Sequence, residues 1–209
     1  MENRDLRYEI LEKEIFRVAK RELSKLPKKL EYHNTDHYED VINVASRIAT
    51  SEGIESRSNE FNLLKTAALL HDIGLLFTYK DHEEKGGLFA KSLLPIYEYS
   101  PEEIETISGM ILSTKLPQSP KTKLEGIICD ADLDNLGRED FFEKGELVRK
   151  ELENYGIKMS DEQWFTNTHN LIKNHVYHTA SQRALRDEGK ERNIKKLIEI
   201  LDSLKISVR

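Results

Sequence analysis

Glu60-Phe61-Asn62-Leu63-Leu64-Lys65-Thr66-Ala67-Ala68-Leu69-Leu70-His71-Asp72-Ile73-Gly74-Leu75-Leu76 is the stretch whose reading decides the fold. After Leu63 it is apolar almost all round, which predicts a helix covered on every side, as in the middle of a bundle. His71 and Asp72 interrupt that apolar run. Burying such a pair is costly unless something replaces its lost hydration. A metal ion is the simplest replacement.

Outward from this stretch the apolar spacing stays helical. Ile10, Ile15, Val18, Ala19 and Leu23 mark a first helix stopped by Leu26-Pro27. A second is expected from Thr35 to Ser51, with His37, Val41, Val44, Ala45 and Ile48 on one side and Gly53 ending it. Further helices are expected near residues 83–95, 101–114, 123–135, 139–154, 160–187 with a break, and 190–205. Ser100-Pro101-Glu102-Glu103 is a capping sequence for one of them. Strand signals are nearly absent, and Lys115–Thr122, with Pro117 and Pro120, reads as a loop inside the domain. The expectation is one all-α domain over residues 1–209, a bundle of roughly nine to ten helices.

The 209 residues, 38% hydrophobic and 33% charged, are enough for a sizeable core. A net charge of −6 without a long basic stripe argues against nonspecific nucleic-acid binding and leaves nucleotides open. The single cysteine, Cys129, excludes an intrachain disulfide, suits a reducing compartment and reads as a small core residue. Met1-Glu2-Asn3-Arg4-Asp5 is too polar for a signal peptide, and no apolar run approaches the roughly 20 residues of a membrane span. A cytoplasmic location is expected.

Two other segments share the character of the His71-Asp72 pair: Tyr32-His33-Asn34-Thr35-Asp36-His37 and Ile127-Ile128-Cys129-Asp130-Ala131-Asp132-Leu133. Imidazoles and carboxylates together suit a divalent first-row metal, with positions left over for water and substrate. His33 and His37 are four apart and would share a face if Tyr32–Asn34 opened the second helix. A divalent ion bound there would lower the pKa of a water and act as a Lewis acid. His33, an imidazole that titrates near neutral pH one turn from His37, is the candidate proton donor, with Asp72 as the other catalytic candidate.

At these residues the chain resembles the HD-domain metal-dependent phosphohydrolase superfamily, whose signature is a distant His, then His-Asp, then a distant Asp. The resemblance covers about residues 30–140, with the C-terminal helices expected to pack onto that region. It implies an all-helical fold and one divalent ion (Mn, Fe, Co, Ni, Zn or Mg) on His37, His71, Asp72 and Asp132. It also implies a small phosphorylated substrate, nucleotides and cyclic nucleotides among the candidates. Tyr32-His33-Asn34 followed by His37 and Asp40-Val41 is similar to a segment of cyclic nucleotide phosphodiesterases, which implies metal binding by His37 and leaving-group protonation by His33. Ala131-Asp132-Leu133-Asp134-Asn135 is similar to the family's closing Ala-Asp-Leu segment, implying Asp132 as ligand and Asp130 as a supporting or capping carboxylate.

The departures limit the expected site to one metal. Members with two metals carry further histidines before the last Asp, where this chain has only His82, with Thr114 the candidate for a position at which some relatives place a histidine. His82 and Glu83 either support the site or simply begin a helix. Lys80, Lys85, Lys115 and Arg138 lie near the site loops as candidate phosphate partners. A second polar cluster, His175-Val176-Tyr177-His178-Thr179 with Arg183 and Arg186, could reach a phosphate or form a solvated face with His175 satisfied and Tyr177, Ala180 and Ala184 inward. Two alternative functions remain at this stage: a ligand-sensing regulatory module with weak or no turnover, and an HD-fold iron oxygenase, which would need histidines absent here.

Overall fold

Asn34 begins the architecture that positions the site. Its side-chain oxygen accepts the N–H groups of Asp36 and His37 and opens α1, Thr35–Ser51. The structure, a computed structural model, describes residues 17, 18, 21, 22 and 25–207. The helix expected over residues 10–23 falls largely outside them. Seven further helices follow α1: α2 (Asn59–Leu70), α3 (His82–Leu93), α4 (Pro101–Ser113), α5 (Lys123–Asp132), α6 (Phe141–Asn154), α7 (Asp161–Asn174) and α8 (Ala180–Ser207). Ser58, Ser100, Thr122 and Ser160 cap α2, α4, α5 and α7 with their hydroxyls, and reciprocal Glu103 and Gln163 bonds complete two capping boxes.

The larger core joins α1, α2, α4 and α5 around α2, whose Leu64, Ala67, Ala68 and Leu70 have no exposed surface. This is the buried central helix that the apolar run predicts. A smaller core of Leu136, Phe141, Ile172 and Leu197 ties α6, α7 and α8 to a short 3-10 turn at Asp134–Gly137. Polar bonds reinforce this junction. Asp134 receives Arg47 from α1 and both Gln182 and Arg186 from α8, while Asn193 donates to the carbonyls of Leu136 and Arg138. Gly137 and Gly189 let the turn and α8 meet: a Cβ on Gly189 would stand 2.0 Å from the Gly137 carbonyl oxygen.

The all-α class holds, with eight α-helices and three 3-10 turns among the described residues in place of nine to ten helices. The differences fall where polar residues leave a helix. α2 stops at Leu70, and residues 73–76 form a 3-10 turn. α5 stops at Asp132, while the expected 160–187 helix breaks between Asn174 and Ala180. Beyond that break the expected separate helix at 190–205 is continuous with α8. Ala180 and Ala184 are exposed, not inward, whereas Tyr177 is fully buried. Among the described residues, no helix is long and apolar enough to cross a membrane.

Candidate metal centre

His37 in the first turn of α1, His71-Asp72 at the end of α2 and Asp132 at the end of α5 converge on one point. His37 Nε2 lies 3.2 Å from His71 Nε2, 3.4 Å from Asp72 Oδ2 and 3.5 Å from Asp132 Oδ1. His71 Nε2 lies 3.0 Å from Asp72 Oδ2 and 3.6 Å from Asp132 Oδ1. Donors about 2.1 Å from a shared ion, at the angles of four- or six-coordination, are about 3.0–3.4 Å apart. These spacings fit that requirement.

Hydrogen bonding makes the same case. His71 Nδ1 is 2.8 Å from the Ala68 carbonyl oxygen and donates to it, which turns the Nε2 lone pair toward Asp72 and His37. Asp72 Oδ2 is buried with no hydrogen-bond partner. Lone pairs facing one another in a buried cluster call for a cation between them. Burial works against charge on His37 and His71, yet the neighbouring Asp132 and Asp72 carboxylates raise the proton affinity of both imidazoles. Burial likewise pushes the Asp72 carboxyl up, but His71, His33 and His37 hold it well below the usual range. A divalent ion satisfies the same demand.

His33 sits just before the cap Asn34, outside α1, so its ring does not share a helix face with His37 as the four-residue spacing suggested. It is aimed instead by Glu151, from the last turn of α6. Glu151 Oε1 is 2.5 Å from His33 Nδ1, and Oε2 accepts the backbone N–H groups of Tyr32 and His33, each at 3.0 Å. The carboxylate is completely buried; burial raises its pKa, but the His33 contact and the two N–H bonds bring it below the ordinary value. His33 Nε2 is left 3.8 Å from Asp72 Oδ2. Glu151 escaped the sequence reading because Arg149-Lys150-Glu151-Leu152-Glu153 looks like a solvated face. Its one available signal is the i+3 spacing from Val148, which turns it toward the site.

The remaining candidates separate. His82 Nε2 meets Asp72 Oδ1 at 3.0 Å while Nδ1 faces the Tyr79 carbonyl at 2.9 Å; despite burial, Asp72 and Glu83 push its pKa up to about 9. Glu83 lies 3.7 Å from the same ring nitrogen. Asp130 points away from the centre and accepts the N–H of His178 and both the N–H and hydroxyl of Thr179. Arg183 donates to the carbonyls of Tyr177 and His178. His175 lies in the stretch between α7 and α8, and neither of its buried ring nitrogens has a hydrogen-bond partner, contrary to the satisfied interface expected. Thr114 is buried and donates to the Ile111 carbonyl. Lys115 is taken by Asp81 and Glu84, and Arg138 by Asp40 and Asp140. Burial pushes the Cys129 thiol up to about 12, consistent with an inert core residue.

A cavity of about 250 Å³ adjoins this centre, lined by His33, Asp72, His82 and Asp132 and by Phe141, Val148 and Trp164. Residues 34–134 match the HD domain family. Two solved structures share the fold. One, from an uncultured Thermotogales bacterium and described as a predicted HD superfamily hydrolase, is 20% identical, with 94% of this chain and 92% of that chain covered and a TM-score of 0.58. The other, a protein from Lactobacillus plantarum, is 18% identical, with 95% and 97% covered and a TM-score of 0.67. The curated proteins include no match to the chain.

Proposed function

We propose that this chain, whose residues 34–134 match the HD domain family, is a metal-dependent phosphohydrolase of small phosphate esters. The observation that carries the reading is the buried, unpartnered Asp72 Oδ2, set among His37, His71 and Asp132 at ligand-like spacings. We assign one divalent ion to these four side chains. When bound, such an ion lowers the pKa of water and polarises a phosphoryl oxygen.

The chain's own residues supply the rest. Glu151 accepts from His33 Nδ1 and directs Nε2 into the cavity beside Asp72. A proton held on that nitrogen can pass to the ester oxygen as the P–O bond breaks. Burial of Glu151 keeps the ring from swinging toward solvent. His82 fixes the second oxygen of Asp72, so the carboxylate keeps one edge toward the centre. We read α6–α8 as part of the same functional domain, because Glu151 reaches across to the His33 loop. Nucleotides and cyclic nucleotides are the esters that the family resemblance puts forward first.

The test is a screen of phosphate esters against purified protein with manganese, iron, cobalt, nickel, zinc or magnesium added separately, with bound metal quantified. Metal-dependent release of phosphate or of the alcohol supports the reading. One equivalent of tightly bound metal without turnover of any ester would overturn it in favour of a ligand-sensing module.

A further inference from the structure

The cavity beside the candidate metal centre has a mostly apolar wall. Besides Asp72, Asp132, His33 and His82 it is lined chiefly by Leu136, Phe141, Val148 and Trp164, with the more exposed Leu116 and Leu171, and its neutral polar side chains are Tyr32, Thr114, Asn135 and Thr168. Among the described residues, no lysine or arginine lines it. The nearby cations are already engaged: Lys115 by Asp81 and Glu84, Arg138 by Asp40 and Asp140, and Arg149, behind Trp164, by Asp161. Glu83 adds a carboxylate to the lining.

Three physical facts narrow the ligand. A chain of phosphates needs several cationic partners, and charge-assisted bonds to Arg or Lys are the usual means. Beyond the metal centre this cavity offers only the His33 and His82 rings, already turned to Glu151 and to Asp72. A ribose would set most of its surface against Phe141, Val148 and Leu136, with few neutral polar side chains such as Asn135 and Thr168 to replace its lost water. At about 250 Å³ the cavity is also slightly below the roughly 300–1,000 Å³ of common ligand pockets.

Resting on the phosphohydrolase reading above, we infer that the substrate carries a single phosphoryl group joined to an apolar group about the size of one ring, and is not a nucleotide. In the reaction, water oxygen bonds to phosphorus and the P–O ester bond breaks. Its electron pair leaves on the ester oxygen, which takes a proton, giving inorganic phosphate and an apolar alcohol or phenol. Apolar contact with Trp164 and Phe141 selects the ester group, while the side at the candidate centre takes the phosphoryl group.

Trp164 is the chain's only tryptophan, so its fluorescence reports directly on the apolar wall. Titrating the metal-loaded protein with phenylphosphonate, whose C–P bond resists hydrolysis, should give a saturable change at one-tenth or less of the concentration that inorganic phosphate requires. Across methyl to butyl phosphates, kcat/KM should rise about three- to fourfold per methylene. Phenyl phosphate should exceed AMP and ATP at least tenfold, and L171K, at a more exposed lining position, should narrow the gap to ATP. A flat alkyl series, or AMP or ATP preferred over phenyl phosphate, would overturn the inference while leaving the phosphohydrolase standing. If no ester were hydrolysed with any metal, the function itself would fall. In that event a Trp164 response to phenylphosphonate, absent with phosphate and ATP, would still support the ligand class, and silence would remove it as well.

Discussion

The two halves of the molecule bury polar groups for opposite reasons. In α1–α5 the buried His37, His71 and Asp72 converge with their lone pairs facing one another, and one carboxylate oxygen has no partner. In α6–α8 and the turn before them, Asp134 is met by Arg47, Gln182 and Arg186, and Glu151 by His33 and two backbone N–H groups. The first cluster is left in need of a cation, whereas the Asp134 and Glu151 carboxylates are met on both oxygens, with the unpartnered His175 lying apart from them. Deficit marks where something binds; completeness marks what holds the binder in shape.

Five substitutions and one titration would break or sharpen that contrast. The largest effect belongs to the deficient half: His71→Ala should abolish stoichiometric metal binding and lower turnover by about 10³ or more, since a bound metal supplies several kcal/mol of transition-state stabilisation. Metal content by mass spectrometry and the helical circular dichroism spectrum check it together. Full metal occupancy would show that the deficit was misread. Asp132→Asn should follow the same course. Next, His33→Ala should leave metal in place and reduce turnover by about 10²–10⁴. That loss should shrink for a nitrophenyl ester, whose leaving group departs without a proton, and equal losses on alkyl and nitrophenyl esters would exclude the acid role.

Glu151→Gln, on the complete side, should cost about 10–100-fold in turnover, as loss of a supporting partner usually does. The expected signature is an altered pH–rate profile with metal content unchanged, which a merely loosened fold would not give. Asp130→Asn should spare metal binding altogether and cost about 2–4 kcal/mol of stability, because it weakens three bonds to a charged acceptor. Metal loss equal to that of Asp132→Asn would erase the distinction between the two aspartates.

The smallest effect concerns His175. Burial, then the charges of Lys190 and His178, hold its pKa down to about 4. Its folded pKa is below the ordinary value of about 6.5, so between these pH values the unfolded chain binds a proton that the folded chain refuses. Stability should therefore be full above about pH 6.5, fall toward pH 4 and level off below. The ring is not fully enclosed, which limits the loss to about 2 kcal/mol. Thermal melts of wild type and His175→Leu at pH 7 and pH 5 measure it; an unchanged slope in the variant would assign the pH dependence elsewhere.

The same contrast explains what was legible from the sequence. His37, His71, Asp72 and Asp132 stand out because each interrupts an apolar run, and an interruption in a buried helix is visible without knowing what packs on it. The separation of Asp130 from Asp132 was also readable, since positions i and i+2 on a helix point about 200° apart. Glu151 and Asn193 are invisible in the sequence: they lie in charged helices whose composition resembles a solvated surface, and only tertiary contacts bury them. His33 lies beside the cluster, but its aim depends on Glu151 and on lying before the helix cap, neither of which spacing reveals.

The Glu151–His33 contact spans 118 positions of the chain. During synthesis, residues 37, 71, 72 and 132 all leave the ribosome before Glu151 does. On the proposed reading, the four side chains that would hold the ion are therefore synthesised before the carboxylate that aims His33.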